Sequence, residues 1–212
     1  MQNASPRSRT RRLAAVAAAV VLAVFGVAAV VSGINGHSTV RDALALEDVT
    51  GTPQMTPAGI AVKAKEAGLT GVALPTCSVA GKAVNNGTDA RCFAEYMRVD
   101  ALIATGGKTY SQMPRFASKD GQGTNDEALA VKLPNGVGMP NPARNVWITE
   151  TALSNALNTS YMAEQVSLFG IAVGAAFLLV GLAIGIAALS GARVPRPAFA
   201  VNRERELEGS VA

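Results

Sequence analysis

The sequence predicts a mainly α-helical membrane protein in which two transmembrane helices flank a small, disulfide-linked, helical extracytoplasmic domain. Three observations carry that expectation. Two long uncharged apolar runs are separated by more than 130 residues of mixed composition, within a chain of 212 residues. Only 16% of the residues are charged, against about a quarter in soluble globular domains. The arginines gather on one flank of each run, and the segment between the runs is close to neutral.

The elements follow in order. Residues 1–12 carry four arginines (Arg7, Arg9, Arg11, Arg12) and no acid, which suits a basic cytoplasmic flank. Residues 13–33 form the first expected span. Its core, LAAVAAAVVLAVFGVAAVV, would extend roughly 28 Å as a helix, about the thickness of a bilayer core. A cleaved signal peptide competes with this reading, but the run exceeds the usual apolar core of such peptides, which favours an uncleaved anchor. Residues 34–165 form the expected extracytoplasmic domain and residues 166–190 the second span. The tail at 191–212 holds four arginines and three glutamates, with Pro195 and Pro197 stopping the helix before it. Arginine on the outer flank of both runs predicts cytoplasmic termini and an exported middle.

Within the middle segment, Thr56 followed by Pro57 predicts a helix start, and Gly68 its stop. Thr88 or Asp89 can cap a second helix running to about Thr105 and ended by Gly106-Gly107. On that helix Cys92, Tyr96, Val99 and Ile103 share one apolar face. A short helix is expected over residues 125–131, and helix again from near Arg144 without a break into the second span. Leu153, Leu157, Tyr161 and Leu168 are expected to form its apolar face. Cys77 and Cys92 are the two cysteines of the chain. In an exported segment such a pair reads as a disulfide; with the topology inverted it reads as two free buried thiols.

The sequence holds little that points to catalysis. With one histidine, His37, the chain is short of the ligands that zinc or ring-opening non-haem iron requires, and of a Ser-His-Asp or Cys-His site. His37 is expected to be an interfacial residue. No metal and no cofactor is expected. The Gly106-Gly107-Lys108-Thr109 stretch has Leu102 where a phosphate-binding loop needs its first glycine, so a helix stop and tight turn is the better reading. The strongest pattern lies in the second run. Gly170 and Gly174, then Gly181 and Gly185, fall on one side of a helix and make a groove for close helix approach. Ala15, Ala19, Ala23 and Gly26 offer a matching small-residue face. These glycines suit packing inside the hairpin, or docking against another membrane protein or a second copy.

Several stretches also carry a family resemblance: LPTCSVAG at residues 74–81, CFAEYMR at 92–98, ATGGKTY at 104–110, ARNVWITETAL at 143–153 and NTSYMAE at 158–164. Together they resemble a family of small actinobacterial two-span membrane proteins with an exported cap, often labelled "aromatic ring-opening dioxygenase". The resemblance implies the two-span topology and the disulfide, and it transfers no catalytic residue. The expected role is that of a non-enzymatic accessory or scaffold component of an envelope or respiratory membrane assembly. The expected partners are membrane lipid and an integral membrane protein or a second copy, with no nucleic acid, because arginines beside a span are explained by topology and anionic lipid. An extracytoplasmic domain that binds or senses a lipid or small molecule is the alternative, and a ring-opening enzyme the third reading.

Overall fold

The structure, a computed structural model, describes residues 6–190. The expected cytoplasmic tail at 191–212 and the first five residues lie outside the described residues. Among the described residues four α-helices run in chain order: α1 (Pro6–Leu46), α2 (Pro57–Glu66), α3 (Gly87–Ala104) and α4 (Ala143–Ser190). The described residues contain isolated β-bridges but no β-strand. The chain divides into two compact units, one containing the chain up to Ser32 and from Gly170, the other Gly33–Phe169.

In the first unit, α1 and α4 contribute alanine-, valine- and leucine-rich turns that pack through small residues. Ala19 and Gly26 of α1 are buried, as are Gly174 and Gly181 of α4. The larger side chains face outward: Val20, Phe25, Leu179 and Leu182 are each more than half exposed. Both α1 and α4 are long and apolar enough to cross a membrane, and in each the most apolar stretch is only 11% buried. A core helix of a soluble protein of this composition would be covered.

The second unit holds the apolar core. Thr56 caps α2, its hydroxyl accepting the Gly59 N–H at 3.0 Å, with Pro57 at the first helical position. Ile60 and Ala64 of α2 pack with Tyr96 and Val99 of α3, together with Val79, Met55 and Cys92. The expected stripe on α3 is thus the core face, with Ile103 half-buried at its far end. The α3 start differs from expectation. Asn86 is the cap, its side chain accepting the Asp89 N–H at 2.9 Å and its amide donating to the Asp89 carboxylate at 2.6 Å. Asp89 belongs to the first turn, where a negative charge complements the helix dipole, and Thr88 lies inside the helix. At the other end Gly106 and Gly107 both adopt positive φ (61° and 78°), and the Gly107 N–H donates back to Leu102 O at 2.8 Å.

Two further expectations are corrected. Over residues 125–131 only one short 3-10 turn forms, Glu127–Leu129. The segment around it is held by cross-chain backbone bonds: Phe116 and Thr124 exchange both bonds at 2.9 Å, and Ala117 accepts from Val131 and donates to Met139. Pro114, Pro134, Pro140 and Pro142 deny this region a helical ladder. On α4, Leu153 and Leu168 are exposed (47% and 44%). The inward positions are Trp147, Glu150, Ser154, Leu157, Tyr161 and Glu164, buried or half-buried, a spacing that alternates three and four residues. Leu157 and Tyr161 lie on the inward face as expected, whereas Leu153 and Leu168 lie one residue off it, beside the half-buried Ser154 and Ser167. The helices also run further than the apolar runs alone predict, α1 continuing to Leu46.

Candidate functional site

Cys77 and Cys92 form a disulfide, with Cα atoms 6.1 Å apart. It ties the loop before α3 to the first turns of that helix. Tyr96, one turn further along, is fully buried and its hydroxyl donates to the Cys77 carbonyl at 2.7 Å. Burial, reinforced by the nearby Glu95 charge, pushes the Tyr96 phenol above its ordinary value.

The four glycines of α4 do not play one role. A Cβ on Gly174 would lie 2.7 Å from Gly26 O and 2.8 Å from the Val30 nitrogen, both backbone atoms of α1. On Gly181 it would lie 3.0 Å from Ala19 O. Gly185 has room, with Ala19 Cβ at 3.7 Å, and Gly170 is half-buried. Gly174 and Gly181 therefore set the helix separation. Opposite them on α1, Ala19 and Gly26 are buried, and Ala15 and Ala23 half-buried.

A polar joint that the sequence did not reveal lies in the second unit. Glu164 of α4 is only 5% exposed. Its Oε2 accepts the Gly87 N–H at 2.7 Å, satisfying a donor that α3 leaves open at its first turn. The position is electrostatically apt, since a helix N-terminus favours a carboxylate. Its Oε1 lies 3.3 Å from Nδ1 of His37, on α1. Gly87 is required here: a Cβ would fall 2.7 Å from both Glu164 Oε2 and Tyr161 Cα. Arg91 of α3 stacks over the Tyr161 ring at 5.0 Å. His37 thus faces a buried carboxylate. The clue in the sequence was Glu164 itself, the last charged residue before the second expected span.

Trp147 anchors the start of α4. It is buried, and its indole N–H donates to Lys108 O at 2.8 Å. The Thr105 hydroxyl donates to the same carbonyl at 2.7 Å. The Gly106–Thr109 stretch is therefore a helix stop whose carbonyl receives Trp147. One turn beyond Trp147, Glu150 is 6% exposed and lines a groove between α3 and α4.

Among the described residues no group of three or more histidines, cysteines or acids could hold a metal ion. Cys77 and Cys92 are joined to each other, and His37 stands with a single carboxylate near it. The assembled groups can pack helices, cap a helix and hold a loop covalently. Comparison with protein-family models, with curated proteins and with solved structures found no match for this chain.

Proposed function

We propose that this chain is a two-span membrane protein, with both termini cytoplasmic and residues 34–165 extracytoplasmic, that serves as an accessory or scaffold component of an envelope or respiratory membrane assembly. The observation that carries this reading is the helix pair of the first unit. Gly174 and Gly181 bring α4 against α1 at backbone distance, while the large apolar side chains of both helices stay outside the contact. Such an outward apolar surface suits lipid and a further membrane helix, not water. The Cys77–Cys92 bridge supports an oxidising compartment for the domain that carries it. The arginine-rich flanks support the orientation, and the resemblance to actinobacterial two-span proteins agrees with both. The single histidine and the joined cysteines support a role without catalysis.

The test is affinity purification of the full chain from native membranes through a C-terminal tag, in mild detergent, with mass spectrometry. Recovery of a stoichiometric integral membrane partner is the expected result. Recovery of the chain alone would overturn the accessory reading.

A further inference from the structure

We propose that the groove between α3 and α4 binds an organic cation with an apolar body, an alkylammonium in chemical class, with Glu150 as its counter-charge. The groove is shallow and open to one side, with a volume of about 510 Å³, within the size range of small-molecule sites. Met97 and Ala101 of α3 face Pro142 and Val146 across it, so its walls are mainly apolar. Two carboxylates, Asp100 and Glu150, also line it. Asp100 is already answered, its Oδ1 lying 3.3 Å from the Lys63 ammonium. Glu150 is not.

Glu150 is 6% exposed, yet its oxygens receive only hydroxyls of its own helix: Ser154 to Oε1 at 2.9 Å and Thr151 to Oε2 at 3.3 Å. Among the described residues no lysine, arginine or histidine lies within ion-pair distance of it. Glu164, the other buried acid of α4, contrasts with it in having a helix N–H and His37 close by. A buried carboxylate is costly unless a positive charge compensates it. A ligand can supply that charge at Glu150, because the residue borders an open groove. The apolar walls then select a cation carrying hydrocarbon, and they disfavour a hydrated metal ion. The same geometry repels anions. All the residues involved lie between Gly33 and Phe169, so the inference stands apart from the reading of the spans.

The test uses the full chain in a non-ionic detergent, titrated with hexyltrimethylammonium and, separately, with hexanol and hexanoate. Trp147, the sole tryptophan, sits one turn before Glu150 and reports occupancy by fluorescence; a thermal-shift assay provides a second readout. Saturable binding of the ammonium probe alone is expected. Glu150→Gln, which keeps the side-chain shape and one of the two acceptor oxygens but removes the charge, should weaken it on the order of thirtyfold or more. Met97→Lys, which puts the chain's own cation on the groove wall, should abolish it while leaving the circular dichroism unchanged. Absence of saturation, equal binding of hexanol or hexanoate, or a loss below about threefold in Glu150→Gln would each overturn the proposal.

Discussion

Replacing Glu164 by alanine, and separately by glutamine, tests the joint between α4 and the start of α3. In Glu164→Ala the Gly87 N–H, buried with its partner at 2.7 Å, loses its acceptor where water does not readily replace it. An unsatisfied buried donor costs about 1–3 kcal/mol, and losing a carboxylate from a helix N-terminus adds to this by up to about 2 kcal/mol in partly buried geometries. These terms describe one contact and overlap, so a total of about 2–3 kcal/mol is expected. Glutamine keeps an acceptor but surrenders the charge, and charge-assisted bonds are roughly twice as strong as neutral ones. Its cost should be about 1 kcal/mol. The global readout is thermal unfolding of the full chain in detergent. The local readout is hydrogen exchange at the Gly87 amide, which should accelerate on the order of thirtyfold in Glu164→Ala if 2 kcal/mol is lost there. If Glu164→Ala leaves both the midpoint and the Gly87 exchange rate unchanged, the carboxylate is not capping α3 and the reasoning fails.

Three other perturbations probe separate parts of the structure. Gly174→Ala should destabilise the helix pair by about 1–3 kcal/mol, because its Cβ meets α1 backbone, whereas Gly185→Ala should stay within about 0.5 kcal/mol of wild type; unfolding in a detergent titration ranks them, and equal effects would contradict the assigned contacts. Removing the disulfide with the Cys77→Ala/Cys92→Ala pair should cost about 3 kcal/mol, the chain-entropy value for its sequence separation of 15, read as a drop in thermal midpoint that reducing agent reproduces in the wild type. The Tyr96 phenol holds its proton more tightly folded than unfolded. Its contribution is therefore complete below the unfolded value, near pH 10, and is lost as pH rises through the folded value. Tyr96→Phe should remove that alkaline decline while costing about 1 kcal/mol at neutral pH through the lost bond to Cys77 O.

The parts of the fold governed by strong local signals were legible in the sequence. Thr56-Pro57 and Gly106-Gly107 punctuate α2 and α3 as expected, because capping chemistry and positive φ are properties of the residues themselves. The apolar stripe through Cys92, Tyr96 and Val99 likewise marked the core face of α3. The start of α3 was misplaced by two or three residues because asparagine, threonine and aspartate all cap well, and the choice of Asn86 goes with a tertiary bond, the Gly87 N–H donating to Glu164, that the local sequence does not show. The face of α4 was legible at Leu157 and Tyr161 but one residue off at its ends, Leu153 and Leu168. A pattern scored on hydrophobicity passes over two buried acids: Glu164, which meets the Gly87 N–H and His37 far away in the chain, and Glu150, which borders the groove between α3 and α4. The segment after α3 was read as more helical than it is, since its order comes from cross-chain backbone bonds that leave no periodicity in the sequence.

The bond from Tyr96 to the Cys77 carbonyl bears on the sequence of events as the domain matures. Tyr96 belongs to the same helix as Cys92 and reaches the very residue that Cys92 must join. Once α3 has formed and its tyrosine has docked, the two thiols are neighbours before any oxidant arrives. Oxidation then seals a register already chosen, and the sulfurs need not search for one another. A chain whose thiols are kept reduced should accordingly assemble α3 in the same place and remain competent for later closure.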